Sequence, residues 1–174
     1  MGRFLQHIRE CVVDLPQGIF IKVIPTTDSL KLITHRCFEL EYYKKLQEDL
    51  HCTVIYSTTP TRNIDLPFIS KKLRFKAIAT KLEYWPTNEG NIVLCLDSSD
   101  LQSLHEQFLA AGLKHSFSEY KPHVTLINPL SLSQFQLNER AFRAANQQVQ
   151  NSPQGPMALE FYYGGYSILD STLT

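Results

Sequence analysis

The chain has 174 residues, 43% hydrophobic and 20% charged, which gives it enough apolar material for a sizeable core and excludes a disordered or collagen-like chain. Seventeen basic residues balance seventeen acidic ones, for a net charge of zero and a pI near 7.0. Coating long nucleic acid calls for a basic excess, so the balance points away from that class and leaves room for a small anionic ligand in one pocket.

In chain order, Phe4, Leu5, Ile8 and Val12 recur at helical spacing, which predicts an amphipathic lead-in over 3–13 closed by Pro16, within an N-terminal segment 1–17. GIFIKVIP (18–25) reads as a strand. CFELEYYKKLQE (37–48) reads as a helix, and LHCTVIYS (50–57) as a β-branched strand stopped by TTP. A polar, proline-containing connection follows. KKLRFKAIA (71–79) alternates: Leu73, Phe75 and Ala77 face one way and Lys72, Arg74 and Lys76 the other, a solvated stripe able to steer anions. The strand runs toward Trp85, TNEG (87–90) turns it, and NIVLCL (91–96) returns. Ser99 and Gln102 have capping-box spacing ahead of a helix carrying Leu101, Leu104 and Phe108 and ending at Gly112.

YKPHVTLINP (120–129) is a short strand between prolines, and Ser131 opens a helix with Phe135, Phe142, Ala145 and Val149 along one stripe. MALEFYYGGYSIL closes the chain as one bent strand or two, broken at Gly164-Gly165. The order β, α, β, β, β, α, β, α, β predicts a single α+β domain over 1–174 with mainly antiparallel pairing. Cys11, Cys37, Cys52 and Cys95 lack metal-knuckle spacing and read as buried thiols of a reducing compartment. Without a signal peptide or a run of about 18 apolar residues, a soluble cytoplasmic protein is expected.

Two tripeptides carry chemistry: His51-Cys52-Thr53 and His123-Val124-Thr125, each near the start of a strand. Alternation puts His51 beside Thr53 and His123 beside Thr125, with Cys52 and Val124 turned to the core. Two imidazoles, which titrate near ~6.5, can remove a proton from a nucleophile and deliver one to a leaving oxygen. Two threonine hydroxyls can donate to the non-bridging oxygens of a phosphate. Such a set calls for no metal and no cofactor, and a zinc site is disfavoured because neither HExxH nor an adjacent acidic ligand set is present. The remaining histidines, His7, His35, His105 and His115, lack such company; His105 reads as a boundary residue of its helix. Lys121 shares the face of His123 and would favour a bound phosphate. Trp85 offers a stacking platform, and Glu160, which interrupts MALEF, a carboxylate for the donors of a base.

The paired segments HCTVIYS (51–57) and KPHVTLINP (121–129) resemble the two-histidine (2H) phosphoesterase superfamily, over roughly residues 18–168. The YS after the first motif, the KP before the second and a Trp in the middle hairpin are most similar to its phage branch, the anti-CBASS nucleases that degrade cyclic oligonucleotide signals of bacterial immunity. The resemblance implies a bilobal fold, with two mainly antiparallel sheets flanking a central cleft and helices outside. It implies His51 and His123 as the acid–base pair, Thr53 and Thr125 as phosphate ligands, and a metal-independent reaction on a cyclic oligonucleotide in the host cytoplasm. Trp85 would stack on a base, Glu160 would help hold the substrate, and Phe20 would stand where the branch has an aromatic on its first strand, without the hydroxyl a Tyr would bring. Other readings stay open: opening of 2′,3′-cyclic phosphates on RNA ends, cleavage of 2′–5′ linkages, a non-catalytic nucleotide sponge, or His-Thr pairs that serve packing. Base preference, ring size and oligomeric state are not encoded in these motifs.

Overall fold

A computed structural model describes residues 12–15, 17–44, 46–86 and 89–169. Among them, eight strands and four α-helices form a mixed α/β fold whose strand pairings are all antiparallel. The strands are β1 (Val12–Leu15), β2 (Ile19–Pro25), β3 (Cys52–Ser57), β4 (Thr61–Asp65), β5 (Phe75–Trp85), β6 (Asn91–Asp97), β7 (His123–Ile127) and β8 (Met157–Ile168). The helices are α1 (Thr27–Arg36), α2 (Ser99–Ala110), α3 (Leu132–Leu137) and α4 (Glu139–Asn151).

Six strands close on themselves in the order β2-β3-β7-β6-β5-β8, and β1 pairs with β4 as a separate two-stranded sheet. The expected pair of sheets flanking a cleft is therefore replaced by one hydrogen-bonded ring. Its weakest joint lies between β3 and β7, where the register consists of Cys52 opposite Val124. Alternation makes the core: Ile19, Ile21 and Val23 of β2, Cys52 and Val54 of β3, and Val124 and Leu126 of β7 are fully buried. They share that core with Leu101, Leu104 and Phe108 of α2. β8 runs unbroken through Gly164-Gly165. Gly165, at φ +95°, takes up the register shift against Lys22 and Val23 that an L side chain would resist.

Four local expectations are corrected. Residues 12–13, assigned to a helical lead-in, belong to strand β1, and the rest of that segment through residue 11 lies outside the described residues. The helix expected over 37–48 reduces to a 3₁₀ turn, Phe38–Tyr42, in which Leu40 is the buried residue, and the preceding polar stretch is itself α1. There Thr26 Oγ1 accepts from the Ser29 N–H, Asp28 sits in the first turn, and His35 and Arg36 sit in the last, complementing the helix dipole. Ser98, not Ser99, caps α2: its Oγ accepts from Leu101 N–H at 3.0 Å and donates to the Lys76 carbonyl at 2.6 Å, pinning the helix to β5. The last helix divides at Asn138, whose backbone (φ −123°, ψ 27°) leaves the helical region. The Ser131–Gln134 capping box starts α3, and Ala145 and Val149 of α4 are buried.

Candidate active site

The β3–β7 joint sets the site. Cys52 and Val124 pair with their side chains in the core, so His51, Thr53, His123 and Thr125 alternate onto the other face, where all four are half-buried. Continuing the antiparallel register by one residue each way puts His51 opposite Thr125 and Thr53 opposite His123. Neighbouring strands add to this face: Lys22 pairs with Thr53, Cys95 with His123 and Val93 with Thr125.

Both rings are held alike. His51 Nδ1 lies 2.8 Å from the Asp49 carbonyl oxygen, and His123 Nδ1 lies 2.7 Å from that of Lys121, each two residues upstream. A carbonyl only accepts, so Nδ1 carries the proton in both rings and Nε2 is left for chemistry. Neutral, Nε2 is a base; protonated, it is an acid. Burial pushes the His123 pKa below its usual 6.5, the contact with the Lys121 carbonyl works against this, and repulsion from His51 adds to the depression. His51 has different company. The Asp49 carboxylate stands 3.9 Å from its Nδ1, and Lys22 Nζ bonds that carboxylate at 3.0 Å. The Lys22 hydrogen bond foremost, with a smaller part from His51, holds Asp49 below the usual carboxylate range.

Aromatics flank both histidines. Phe20 meets His51 edge-on at 5.4 Å between ring centroids, and Trp85 lies 4.5 Å from His123 at a tilt of 57°. The Trp85 indole N–H donates to Glu83 at 2.7 Å. Glu83 also pairs with Lys81 at 2.6 Å, and these two bonds, Lys81 first, bring its pKa to about 2. Beside His123 opens a cavity of about 600 Å³ whose wall includes Thr53, Trp85, Lys121 and His123. His51, Thr125, Phe20 and Glu160 lie outside that wall. Lys121 is exposed and paired with Glu119 at 3.2 Å. Glu160 is exposed on β8 opposite Lys76, near the start of β5, whereas Trp85 ends the same strand. It shares a face with Tyr162, which pairs with Ile24 next to the His51 side.

Sequence reasoning missed part of this neighbourhood. Tyr56, Asn91, His115 and Phe117 also line the cavity, and Lys22 stands over Thr53. Lys22 was legible in principle, as the alternate residue of a strand. Phe117 lies in a loop without periodicity, so no pattern marks it. His105, expected at a boundary, is buried with Nδ1 2.7 Å from the Val54 carbonyl oxygen and stacks on Tyr120 at 4.0 Å. Cys37 and Cys52 are buried free thiols, and burial pushes them up to about 12 and about 11; Cys95 is half-buried, and Cys11 lies outside the described residues. Among the described residues no group of three or more His, Cys, Asp or Glu is disposed to hold a metal ion, and no helix is long and apolar enough to cross a membrane.

Comparison with known proteins matches residues 17–149 to the family of anti-CBASS protein Acb1, a span that contains both His-x-Thr motifs. The anti-CBASS protein Acb1 of Enterobacteria phage T4 is 35% identical over 92 residues, which cover 50% of this chain and 57% of that protein. That of Salmonella phage S16 is 28% identical over 125 residues, 70% of this chain and 79% of that protein. That of Escherichia phage RB16 is 39% identical over 80 residues, 45% of this chain and 44% of that protein. The chain thus spans little more than half the length of the T4 relative and less than half of the RB16 one. With three quarters of its length inside the family match, the chain belongs to the anti-CBASS protein Acb1 family.

Proposed function

We propose that the chain is a phosphodiesterase of the two-histidine type that cleaves 3′–5′ bonds of cyclic di- and trinucleotide immune signals and so blocks CBASS-type antiphage defence. The observation that carries this reading is the matched pair of His-x-Thr segments at one strand joint, each imidazole with Nδ1 tied to a carbonyl and Nε2 without a hydrogen-bond partner among the described residues. The names of the relatives support the anti-CBASS role. The finer assignment of cyclic oligonucleotide cleavage rests on the chemistry of the site.

In the proposed reaction the phosphate sits between the two histidines, and Thr53 and Thr125 donate to its non-bridging oxygens. His123, kept neutral by burial, takes the proton of a ribose 2′-hydroxyl. The 2′ oxygen attacks the adjacent phosphorus, the P–O5′ bond breaks, and His51 delivers its proton to the departing 5′ oxygen. The product carries a 2′,3′-cyclic phosphate. Water then opens it to a 3′-phosphate with the two histidines exchanging roles. Repulsion between the rings favours the singly protonated pair that this cycle needs. Trp85 and Lys121 serve the substrate on the His123 side, and Phe20 and Glu160 on the side of His51. The reaction proceeds on side chains alone and takes place in the host cytoplasm.

The test is a panel. Cyclic di- and trinucleotides, a linear 3′–5′ oligonucleotide, a 2′–5′ oligonucleotide and RNA ending in a 2′,3′-cyclic phosphate are each incubated with the protein in EDTA, and products are identified by mass. Linearised cyclic substrates support the proposal. Turnover confined to the RNA end or to the 2′–5′ linkage, or recovery of intact, bound cyclic nucleotide, overturns it.

A further inference from the structure

We infer that the cavity beside His123 is a preformed purine-base pocket in which Phe117 and Tyr56 supply the stacking surface and Asn91 and His115 the hydrogen-bond donors. This deepens the function proposed above and rests on its placement of the phosphate at Thr53 and His123. A nucleotide anchored there has its base within reach of the cavity that these two residues border.

The aromatic surface comes from both sides of β7. Tyr56 and Phe117 stack at 5.9 Å and 27°. Trp85 stands three strands away around the ring, past β7 and β6, yet lines the same cavity. Phe117 is 62% exposed, so its ring is not spent on the protein core. The loop that carries it is fixed in place, because Ser116 N–H donates to the Tyr56 carbonyl at 2.8 Å and Thr58 N–H donates to Ser116 Oγ at 3.0 Å. A surface already held in position loses little freedom when a flat ligand stacks on it.

The cavity wall carries the Glu119 carboxylate, held by Lys121 at 3.2 Å, and two side chains that offer N–H donors, Asn91 and His115. Asn91 Oδ1 is sealed from solvent without a hydrogen-bond partner, so the N–H groups of that amide are what the cavity receives. His115 Nδ1 accepts the Tyr56 N–H at 3.3 Å, which leaves the ring proton on Nε2. Burial, with a contribution from His105, lowers the pKa of His115 and keeps that tautomer neutral. Two N–H donors suit an edge rich in acceptors, such as N7 and O6 of guanine or the ring nitrogens of adenine.

Trp85 is the single tryptophan of the chain, so its fluorescence reads this cavity directly. AMP, GMP and inorganic phosphate are titrated into the wild type, Phe117→Ala, Phe117→Tyr and Asn91→Leu, with a thermal melt of each as a folding control. The expected result is saturable quenching by AMP and GMP but not by phosphate. Phe117→Ala should weaken the nucleotides about 5- to 150-fold, the range for losing one base–aromatic stack, and Phe117→Tyr should restore them. Asn91→Leu should weaken them about tenfold, as for one lost hydrogen bond. Phosphate quenching equal to that of AMP, or unchanged affinity in both Phe117→Ala and Asn91→Leu, overturns the inference. The two claims fail separately. Nucleotide binding as described without turnover of any cyclic oligonucleotide sinks the reaction and leaves the pocket. Turnover with an unchanged KM in Phe117→Ala sinks the pocket and leaves the reaction.

Discussion

Trp85 packs against His123 with 4.5 Å between ring centroids, so the side chain proposed to stack on a base also shields the imidazole proposed to act at the phosphate. The contact joins two properties that would otherwise be independent: substrate affinity and the titration of the base. Removing Trp85 should change both. Trp85→Ala should raise KM by about 5- to 150-fold through the lost stack.

The pH dependence follows with a definite sign. Burial depresses the pKa of His123, so the acidic limb of kcat/KM in the wild type should lie below 6.5. Trp85→Ala admits water to the ring and should move that limb upward, toward 6.5. Removal of the like charge in His51→Gln should raise the His123 titration in the same direction, read by NMR of the imidazole protons. A limb already above 6.5 in the wild type would contradict the burial argument.

Lys22 and Asp49 hold the turn that aims His51. Lys22→Met releases the Asp49 carboxylate and loosens the carbonyl to which His51 Nδ1 is bonded. The pair is partly exposed, so unfolding free energy should change by less than about 1 kcal/mol. Because a misaimed proton donor is penalised in the transition state, kcat should fall on the order of tenfold or more with KM little altered. Equal losses in stability and rate would make Lys22 a packing residue only.

How much of this was legible beforehand varies with the physics of each segment. Strands β2, β3, β5 to β8 announced themselves because buried and exposed residues alternate, as in Phe75, Ala77 and Ala79 against Lys76, Ile78 and Thr80. The two His-x-Thr motifs were readable for the same reason, since alternation alone fixes which residues share a face. Helix α1 was hidden by its own polarity: Ile33 is its one fully buried apolar side chain, and its start is signalled only by Thr26 and Asp28. The CFELEYY stretch has helical spacing, yet Leu40 is the buried residue of its 3₁₀ turn while Phe38 and Tyr42 are exposed. Strand β4, with the sequence TRNID, carries no apolar alternation and owes its form to pairing with β1. The closure of six strands into a ring is a matter of long-range pairing, as between Lys22 and Gly165, that no local pattern records.

Gly90 controls the hairpin that presents Trp85. It sits at φ +79°, and a Cβ there would run into the Leu130 carbonyl oxygen. Gly90→Ala should destabilise by about 1–3 kcal/mol, or roughly 2–4 °C in Tm for each kcal/mol. An unchanged melt would show that the hairpin backbone adapts freely.

Stability should also depend on pH through the buried imidazoles. His115 and His123 both have pKa values depressed below 6.5, with burial the leading cause in each. Above 6.5 both are neutral folded and unfolded, and their burial carries no protonation penalty. As pH falls from 6.5 through the folded values, the unfolded chain binds more protons and stability is lost. Urea unfolding at pH 7.5 and 5.5 should show this decline, and His115→Asn should flatten it, since Asn can still accept the Tyr56 N–H.

The most direct test of the acid–base pair is turnover of a cyclic dinucleotide, in EDTA, by the wild type, His51→Ala and His123→Ala, with folding monitored by circular dichroism. Linear product bearing a 2′,3′-cyclic phosphate or 3′-phosphate end is expected from the wild type. Each variant should keep its fold and lose about 10²- to 10⁴-fold in kcat. A folded variant of either histidine that turns over at the wild-type rate would remove that histidine from the chemistry.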